Sequence, residues 1–266
     1  MHIELDVSLD PTLGCGQAHR WRKIDGTWSG VIGNDVITLI QTDDGFDCIG
    51  TSNRTRILEY FRHEDDLQQI ISEISGVDRY VAMLSESCPG MRILKQDRWE
   101  CLGTYVLATN ANVKRIAQMT EAVCDMFGKD LGTRRAFPSP KEILNGCDNI
   151  HLCKLGFRES RFLKLAERVE CGDIDIEMLA ELEYGECVTE LQNIDGVGPK
   201  VADCVALFGF GHLEAFPIDA RISKCLEDIY GKTGSYRELS AFGRELFGRY
   251  AGYAQEFLYH SPHILK

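Results

Sequence analysis

No stretch of this sequence is apolar for long enough to cross a bilayer, which takes about 18 to 20 residues. The opening residues, MHIELDVSLD, lack the basic region followed by an apolar core that marks a signal peptide. No signal peptide and a cytoplasmic location are therefore expected. There is no C-x-x-C pair among the eleven cysteines. An odd number of scattered thiols without a secretion signal reads as reduced side chains, several of them core fillers. No cysteine follows Cys225, which excludes a C-terminal cysteine-ligated iron–sulfur cluster. Positive charge is also in deficit. With 29 basic against 41 acidic residues, the formal net charge is −12. A protein held to nucleic acid by bulk charge would be basic, so nucleic-acid binding here needs a local surface and directed backbone N–H groups. Internal repeats and low-complexity tracts are missing as well.

What is present divides into two parts. Residues 1 to about 50 carry short β-prone runs separated by Asp25-Gly26, Gly33-Asn34-Asp35 and Asp43-Asp44-Gly45. Such punctuation predicts an antiparallel meander. A short amphipathic helix over 54–63 and the helical spacing of Leu67, Ile70, Ile71 and Ile74 are expected to cover one face of it. Cys88-Pro89-Gly90 closes this unit, giving an N-terminal domain over 1–90. From Asp97 onward the pattern is helical. An apolar segment runs over 99–108, and Thr109-Asn110 is expected to cap a helix over 111–127 stopped by Gly128. Ser139 caps a short helix. Further helices are expected over 152–170, 176–182, from Thr189 into a turn, over 220–230, and between Ser235 and Tyr259. The fold class is thus α+β: an antiparallel sheet domain, then an all-α body over 91–266.

The most informative stretch lies between Leu191 and Asp219. Leu191-x-x-Ile194-x-Gly196-Val197-Gly198-Pro199-Lys200-x-Ala202 has the spacing of a helix-hairpin-helix. Gly196 and Gly198 permit a tight turn, and the N–H groups opening the second helix can hold a phosphate without net positive charge. Proline suits the first helical position, where its missing N–H has no partner. A structural αα-turn would use the same residues. The spacing is not that of a P-loop. Lys200 then sits where the helix N-terminus repels a cation. Burial and that terminus both act to lower a lysine pKa, as a nucleophilic amine requires. Spacing alone reads Lys200 equally as a nucleophile and as a plain phosphate contact. Asp219, in Pro217-Ile218-Asp219, reads as a helix N-cap whose carboxylate would also have a fixed direction.

The Gly-Val-Gly-Pro-Lys…Pro-Ile-Asp run resembles the helix-hairpin-helix superfamily of base-excision DNA glycosylases, and lysine at 200 resembles its bifunctional members. Three distant segments are similar to the 8-oxoguanine DNA glycosylases within it. They are Cys15-Gly16-Gln17-Ala18-His19-Arg20-Trp21-Arg22, like that family's G-Q-x-x-R-W-R strand; Ala108 to Ile116, like its asparagine-rich helix start; and Tyr250 to Gln255, like its C-terminal helix. The likeness covers nearly the whole chain in order.

The resemblance implies removal of 8-oxoguanine opposite cytosine, followed by nicking of the strand. Lys200 would attack the sugar C1′ and Asp219 would stabilise the cationic sugar. The Gly16 carbonyl would accept from N7–H of the oxidised base, Gln255 would read its Watson–Crick edge, and Cys204 and Tyr259 would sandwich the ring. Asn110 would fill the vacated space, Arg115 and Arg158 would meet the estranged cytosine, and Phe157 would be the wedge. Gly196 and Gly198 would carry the hairpin's phosphate contact, with Arg221 able to hold another. The active cleft would lie between helical subdomains, one over 119–221 and one formed by 91–118 with 222–266. Duplex DNA containing 8-oxoguanine is the implied partner of a monomer, with no membrane association, no cofactor and no catalytic metal. A compact chain without eukaryotic insertions points to a prokaryotic, nucleoid-associated enzyme.

Departures stand beside the matches. Arg221 replaces a eukaryotic histidine, His19 replaces an aromatic residue, Ala111 replaces the middle asparagine, and the 155–161 loop is one residue longer. Each residue also has an ordinary structural reading, Cys204 as core and Asn110 as a cap above all. The rivals are an alkylated-base glycosylase of the same superfamily, whose members typically lack the lysine, and a DNA-binding protein that uses only the hairpin.

Overall fold

The computed structural model describes residues 1–260. Five strands, β1 (His2–Glu4), β2 (Arg22–Ile24), β3 (Thr27–Ile32), β4 (Asp35–Gln41) and β5 (Gly45–Ile49), form one antiparallel sheet in the order β1-β5-β4-β3-β2. The expected meander is therefore present over β2 to β5, with β1 added at its edge. Ile37 and Leu39 of β4 point inward while Thr38 and Ile40 point out, the period of two that a half-covered sheet requires.

Fourteen α-helices are described. In the N-terminal half they are α1 (Leu9–Gly14), α2 (Arg54–Tyr60), α3 (Leu67–Val77), α4 (Arg79–Ser87), α5 (Arg98–Leu107) and α6 (Val113–Phe127). The rest are α7 (Pro140–Asn145), α8 (Glu159–Glu170), α9 (Ile176–Ala180), α10 (Tyr184–Gln192), α11 (Pro199–Val205), α12 (Ala220–Tyr230), α13 (Tyr236–Phe247) and α14 (Ala251–His260). No described helix is long and apolar enough to cross a membrane.

Local chemistry accounts for most of the helix ends. Ser139 and Ser235 each form a capping box with the glutamate three residues on, Glu142 and Glu238. Asp219 caps α12, its Oδ1 accepting from the Ile222 N–H at 2.8 Å. The helix after Asn110 differs from expectation. Its cap is Asn112, whose side chain accepts from the Arg115 N–H at 2.9 Å, and it begins at Val113. Asn110 instead adopts a left-handed conformation, φ 53°, which asparagine tolerates better than most residues. The segment over 152–170 is also divided: two 3-10 turns, Cys147–Cys153 and Gly156–Arg158, precede α8. The helix entering the hairpin starts at Tyr184 rather than Thr189.

Three buried clusters hold these elements. Trp28, Ile37, Leu39 and Phe46 of the sheet pack with Leu9, Leu13, Ile57 and Phe61 of α1 and α2 and the loop after it. Helix α3, expected to cover the sheet, joins the helical core instead through Leu67, Ile70 and Ile74, as does α4 after it through Val81 and Leu84. Their spacing shows that one face is buried but not what it is buried against. The sheet's own core thus ends well before residue 90, apart from Leu94. The same large cluster joins Leu191 and Val201 to Leu226 and Phe257, so the boundary expected at 221 does not separate two cores. A third, smaller cluster surrounds Met119, Val123, Ile143 and Phe162.

Candidate active site

The hairpin between α10 and α11 is built on two buried anchors, Ile194 and Val197. The Ile194 N–H donates to the Leu191 carbonyl at 3.1 Å, and the Val197 N–H to the Ile194 carbonyl at 3.0 Å. Gly196 has φ 87°, and a Cβ there would lie 2.8 Å from Cδ of Arg161. Only glycine meets both demands. Around Gly198 no atom would approach an added Cβ, so the start of α11 is open to a ligand. Arg161, Lys164 and Arg168 of α8 and residues 192–198 enclose a shallow cup there of about 510 Å³. Arg161 and Lys164 reach Asp195 across it at 3.7 and 3.8 Å. Three basic side chains of α8 thus gather beside the hairpin.

Lys200, the second residue of α11, lines a larger cleft of about 920 Å³. Its Nζ lies 5.4 Å from the centre of the Tyr105 ring, which stacks on Phe208 with 5.9 Å between centroids. One helical turn on is Cys204, and across the cleft is Asp219, held by its cap bond. The expected depression of the Lys200 pKa is not what the site produces. The Cys204 sulfur is the largest influence and favours the ammonium, burial opposes it, and Asp219 and Tyr259 add to the rise. Burial in turn pushes the Cys204 thiol up to about 11, so it carries no charge at neutral pH. Raised rather than lowered, Lys200 rests as a cation at neutral pH.

The floor of the cleft comes from a segment that is not a strand. Residues 15–20 form a series of bends, and only Arg22 enters the sheet. Gln17 holds this loop. Its amide nitrogen donates to the carbonyls of Thr12 at 2.8 Å and Arg92 at 2.9 Å, and its Oε1 accepts from the Leu94 N–H at 2.8 Å. Gln96 and Tyr105 both donate to the Gln17 carbonyl. Fixed in this way, Gly16 sits at φ 92° on the cleft wall, against Val113. Arg20 and Arg22 meet Glu121 of α6 at 3.1 and 3.2 Å, and Arg20 also lies 3.6 Å from Glu100 of α5. The basic residues of the motif therefore clasp the loop to the helical body.

The opposite wall is α14. Gln255 is 4% exposed and its Oε1 has no hydrogen-bond partner. Tyr259 carries the Arg221 guanidinium 4.3 Å above its ring, and Arg221 donates to the Tyr259 carbonyl at 3.3 Å. Sequence reasoning passes over two groups here. Glu256, 5% exposed, faces the cleft with Oε2 unpartnered. Burial pushes its carboxyl up to about 7. His19 also lines the cleft with both ring nitrogens unpartnered, and burial lowers it to about 4, so the ring is neutral. His19 is legible only as a departure from the family pattern. Glu256 carries no local signal beyond its place beside Gln255.

The cleft thus gathers Gly16, Asn110, Gly196, Gly198, Lys200, Cys204, Asp219, Arg221, Gln255 and Tyr259. Three expected residues do not line it. Phe157 is 53% exposed, with Arg158 and Arg161 guanidinium groups 4.3 and 5.6 Å from its ring centre. Arg115 donates to the Lys154 carbonyl. Arg158, expected at the estranged cytosine, is 8% exposed and turned inward. Its Nε donates to the Thr109 carbonyl at 2.9 Å and its Nη2 to the Asn110 carbonyl at 3.1 Å. A guanidinium satisfied by carbonyls in this way braces the left-handed turn that presents Asn110.

Residues 2–102 match the family described as 8-oxoguanine DNA glycosylase, N-terminal domain. The chain is 29% identical over 286 residues to the N-glycosylase/DNA lyase OGG1 of Arabidopsis thaliana, covering 97% of this chain and 77% of that protein. It is 24% identical over 293 residues to a probable N-glycosylase/DNA lyase of Methanothermobacter thermautotrophicus, covering 96% and 93%. Among solved structures, the 8-oxoguanine glycosylase/lyase of Clostridium acetobutylicum, in complex with dsDNA containing cytosine opposite to 8-oxoG, superposes with a TM-score of 0.92. It shares 27% identity, over 98% of this chain and 93% of that one. Sequence likeness and shape agree over almost the full length: residues 2–102 match the 8-oxoguanine DNA glycosylase N-terminal family, and the whole chain is similar to the 8-oxoguanine glycosylase/lyases.

Proposed function

We propose that this protein excises 8-oxoguanine opposite cytosine from duplex DNA and then cleaves the strand at the resulting site. One observation carries the reading: Lys200 and Asp219 share a cleft whose walls are Gly16 and the unpartnered Gln255. The reacting sugar is inaccessible within stacked DNA, so the nucleotide must be turned out into the cleft. The hairpin amides after Gly196 hold the backbone, Arg221 holds a phosphate, and Phe157 enters the stack. Asn110 fills the space left behind, with Arg115 toward the estranged cytosine and Arg158 supporting the turn from beneath.

In the cleft, the base lies between Cys204 and Tyr259 with its Watson–Crick edge on Gln255. The Gly16 carbonyl accepts from N7–H, which 8-oxoguanine has and guanine lacks. Guanine would turn a lone pair toward that carbonyl, and a buried polar group left unpaired costs about 1 to 3 kcal/mol. Neutral Lys200 then bonds to C1′, the C1′–N9 bond breaks with its electron pair leaving on the base, and the Asp219 carboxylate offsets the positive charge developing on the sugar. Ring opening gives a Schiff base, and β-elimination of the 3′ phosphate cleaves the strand.

Borohydride reduction during turnover of an 8-oxoguanine:cytosine duplex should leave a covalent protein–DNA adduct, absent in Lys200→Gln. An active protein that yields no adduct overturns the Schiff-base step. A panel of oxidised guanine opposite each base, alkylated purines and oxidised pyrimidines tests the pocket. Faster release of alkylpurines would replace the Gly16 reading with that of an alkylated-base enzyme. Binding without any release would leave only the hairpin's function.

A further inference from the structure

The resting state of Lys200 raises a question of proton balance. As a cation it cannot attack C1′, so a group in the cleft must take its proton. Asp219 is the obvious candidate, but its Oδ1 already accepts from the Ile222 N–H at 2.8 Å and fixes the start of α12. The Cys204 sulfur, pushed up to about 11, is a neutral thiol at neutral pH and cannot accept without first losing its own proton. The hydroxyls of Tyr105 and Tyr259 are likewise raised by burial and remain protonated. Glu256 is different. Its carboxyl is buried on the same cleft, and its Oε2 has no protein partner and is open to accept a proton.

We propose that Glu256 is the proton acceptor that frees Lys200 for attack, an inference that rests on the Schiff-base reading above. In the transfer, the Lys200 ammonium gives one proton to the Glu256 carboxylate, leaving an amine lone pair to form the bond to C1′. The pair of the C1′–N9 bond departs with the base, and the proton stored on Glu256 is available to the departing ring nitrogen. Entry of the nucleotide drives the exchange. It expels water, and desolvation disfavours an ammonium and a carboxylate together while leaving an amine and a carboxylic acid comparatively untouched.

The groups facing Glu256 set its balance. Burial is the largest influence and raises its pKa. The Cys15 thiol opposes that, the Asp219 carboxylate adds to it, and Lys200 opposes it. Tyr105, Cys204 and Tyr259 also feel its charge, and all three are uncharged near neutrality. The result is an acid that titrates near pH 7, where a base works best against the proton it must both take and release.

The test is the single-turnover rate of 8-oxoguanine excision between about pH 6 and pH 9. Wild-type rate should rise through an inflection near pH 7. Glu256→Gln should lose that inflection and fall by about 100-fold on the plateau, while affinity for a duplex holding a non-cleavable abasic analogue stays within about twofold. Glu256→Asp keeps the acid on a shorter arm and should be slowed with the inflection retained, so it decides the matter if the glutamine variant folds poorly. An unchanged rate and inflection in Glu256→Gln, or an inflection missing from Glu256→Asp, overturns the assignment. The two levels separate cleanly. No borohydride adduct from wild type defeats the Lys200 reading itself, whereas a wild-type adduct with an unaltered profile in Glu256→Gln defeats only the role of Glu256.

Discussion

At the scale of single residues, the cleft is notable for charges kept out of water. Glu256 has a folded-state pKa raised from 4.5 to about 7, so the folded chain binds that proton more tightly than the unfolded chain. Its favourable contribution is complete below pH about 4.5 and is lost progressively as pH rises through about 7. The loss at alkaline pH is at most about 3 kcal/mol, since one pKa unit corresponds to about 1.4 kcal/mol. Glu256→Gln should therefore gain stability relative to wild type between pH about 5 and pH about 8, read from urea midpoints at constant slope. A difference that stays flat across that range would show that the carboxyl is solvated after all. Asp203, the residue before Cys204, shows the opposite solution. Tyr184, Tyr236 and Ser240 all donate to its carboxylate and the Arg244 guanidinium adds to their effect, which is how a buried acid on α11 is accommodated.

At the scale of elements, the hairpin is specified by two glycines and a proline, and a single methyl group tests it. Gly196→Ala places a Cβ at φ 87° and 2.8 Å from Arg161 Cδ. The left-handed strain costs about 1 kcal/mol, and the displaced Arg161 disturbs the phosphate cup. Duplex affinity should fall by about tenfold or more, with cleavage of bound DNA less affected. Gel-shift titration against single-turnover rate separates the two, and equal affinity would remove the hairpin from the DNA contact.

Elements like this one are legible in the sequence because their causes are local: Pro199 starts a helix, Gly196 turns the chain, and Ser139, Ser235 and Asp219 cap the helices behind them. The loop at 15–20 reads as strand because its causes are distant. Gln17 secures it through residues 92 and 94, and nothing near Gly16 announces those partners. Asn110 is not the cap it resembles for a related reason. The turn it occupies is braced by Arg158, 48 positions on. Glu256 escapes a sequence reading because periodicity marks α14 as buried without saying that one of its acids faces a cleft.

At the scale of the molecule, the loop leading into the sheet is tied to the helical body through Arg20. It is 4% exposed and lies between Glu121 at 3.1 Å and Glu100 at 3.6 Å. Removing one member of a buried charge set leaves the others uncompensated, at about 3 kcal/mol. Arg20→Met should lose stability on that order in thermal or urea unfolding, and adding Glu100→Gln should recover part of it. A change below about 0.5 kcal/mol would assign the joint to apolar packing alone.

The wall formed by α14 has a consequence for how the protein is made. Tyr253, Phe257 and Leu258 are wholly buried in the same cluster as Val201 and Val205 of the lysine-bearing helix. A chain emerging from the ribosome cannot complete that cluster until α14 has been released. Under the proposed function, the amine of Lys200 and the residues proposed to choose its target would become ordered together.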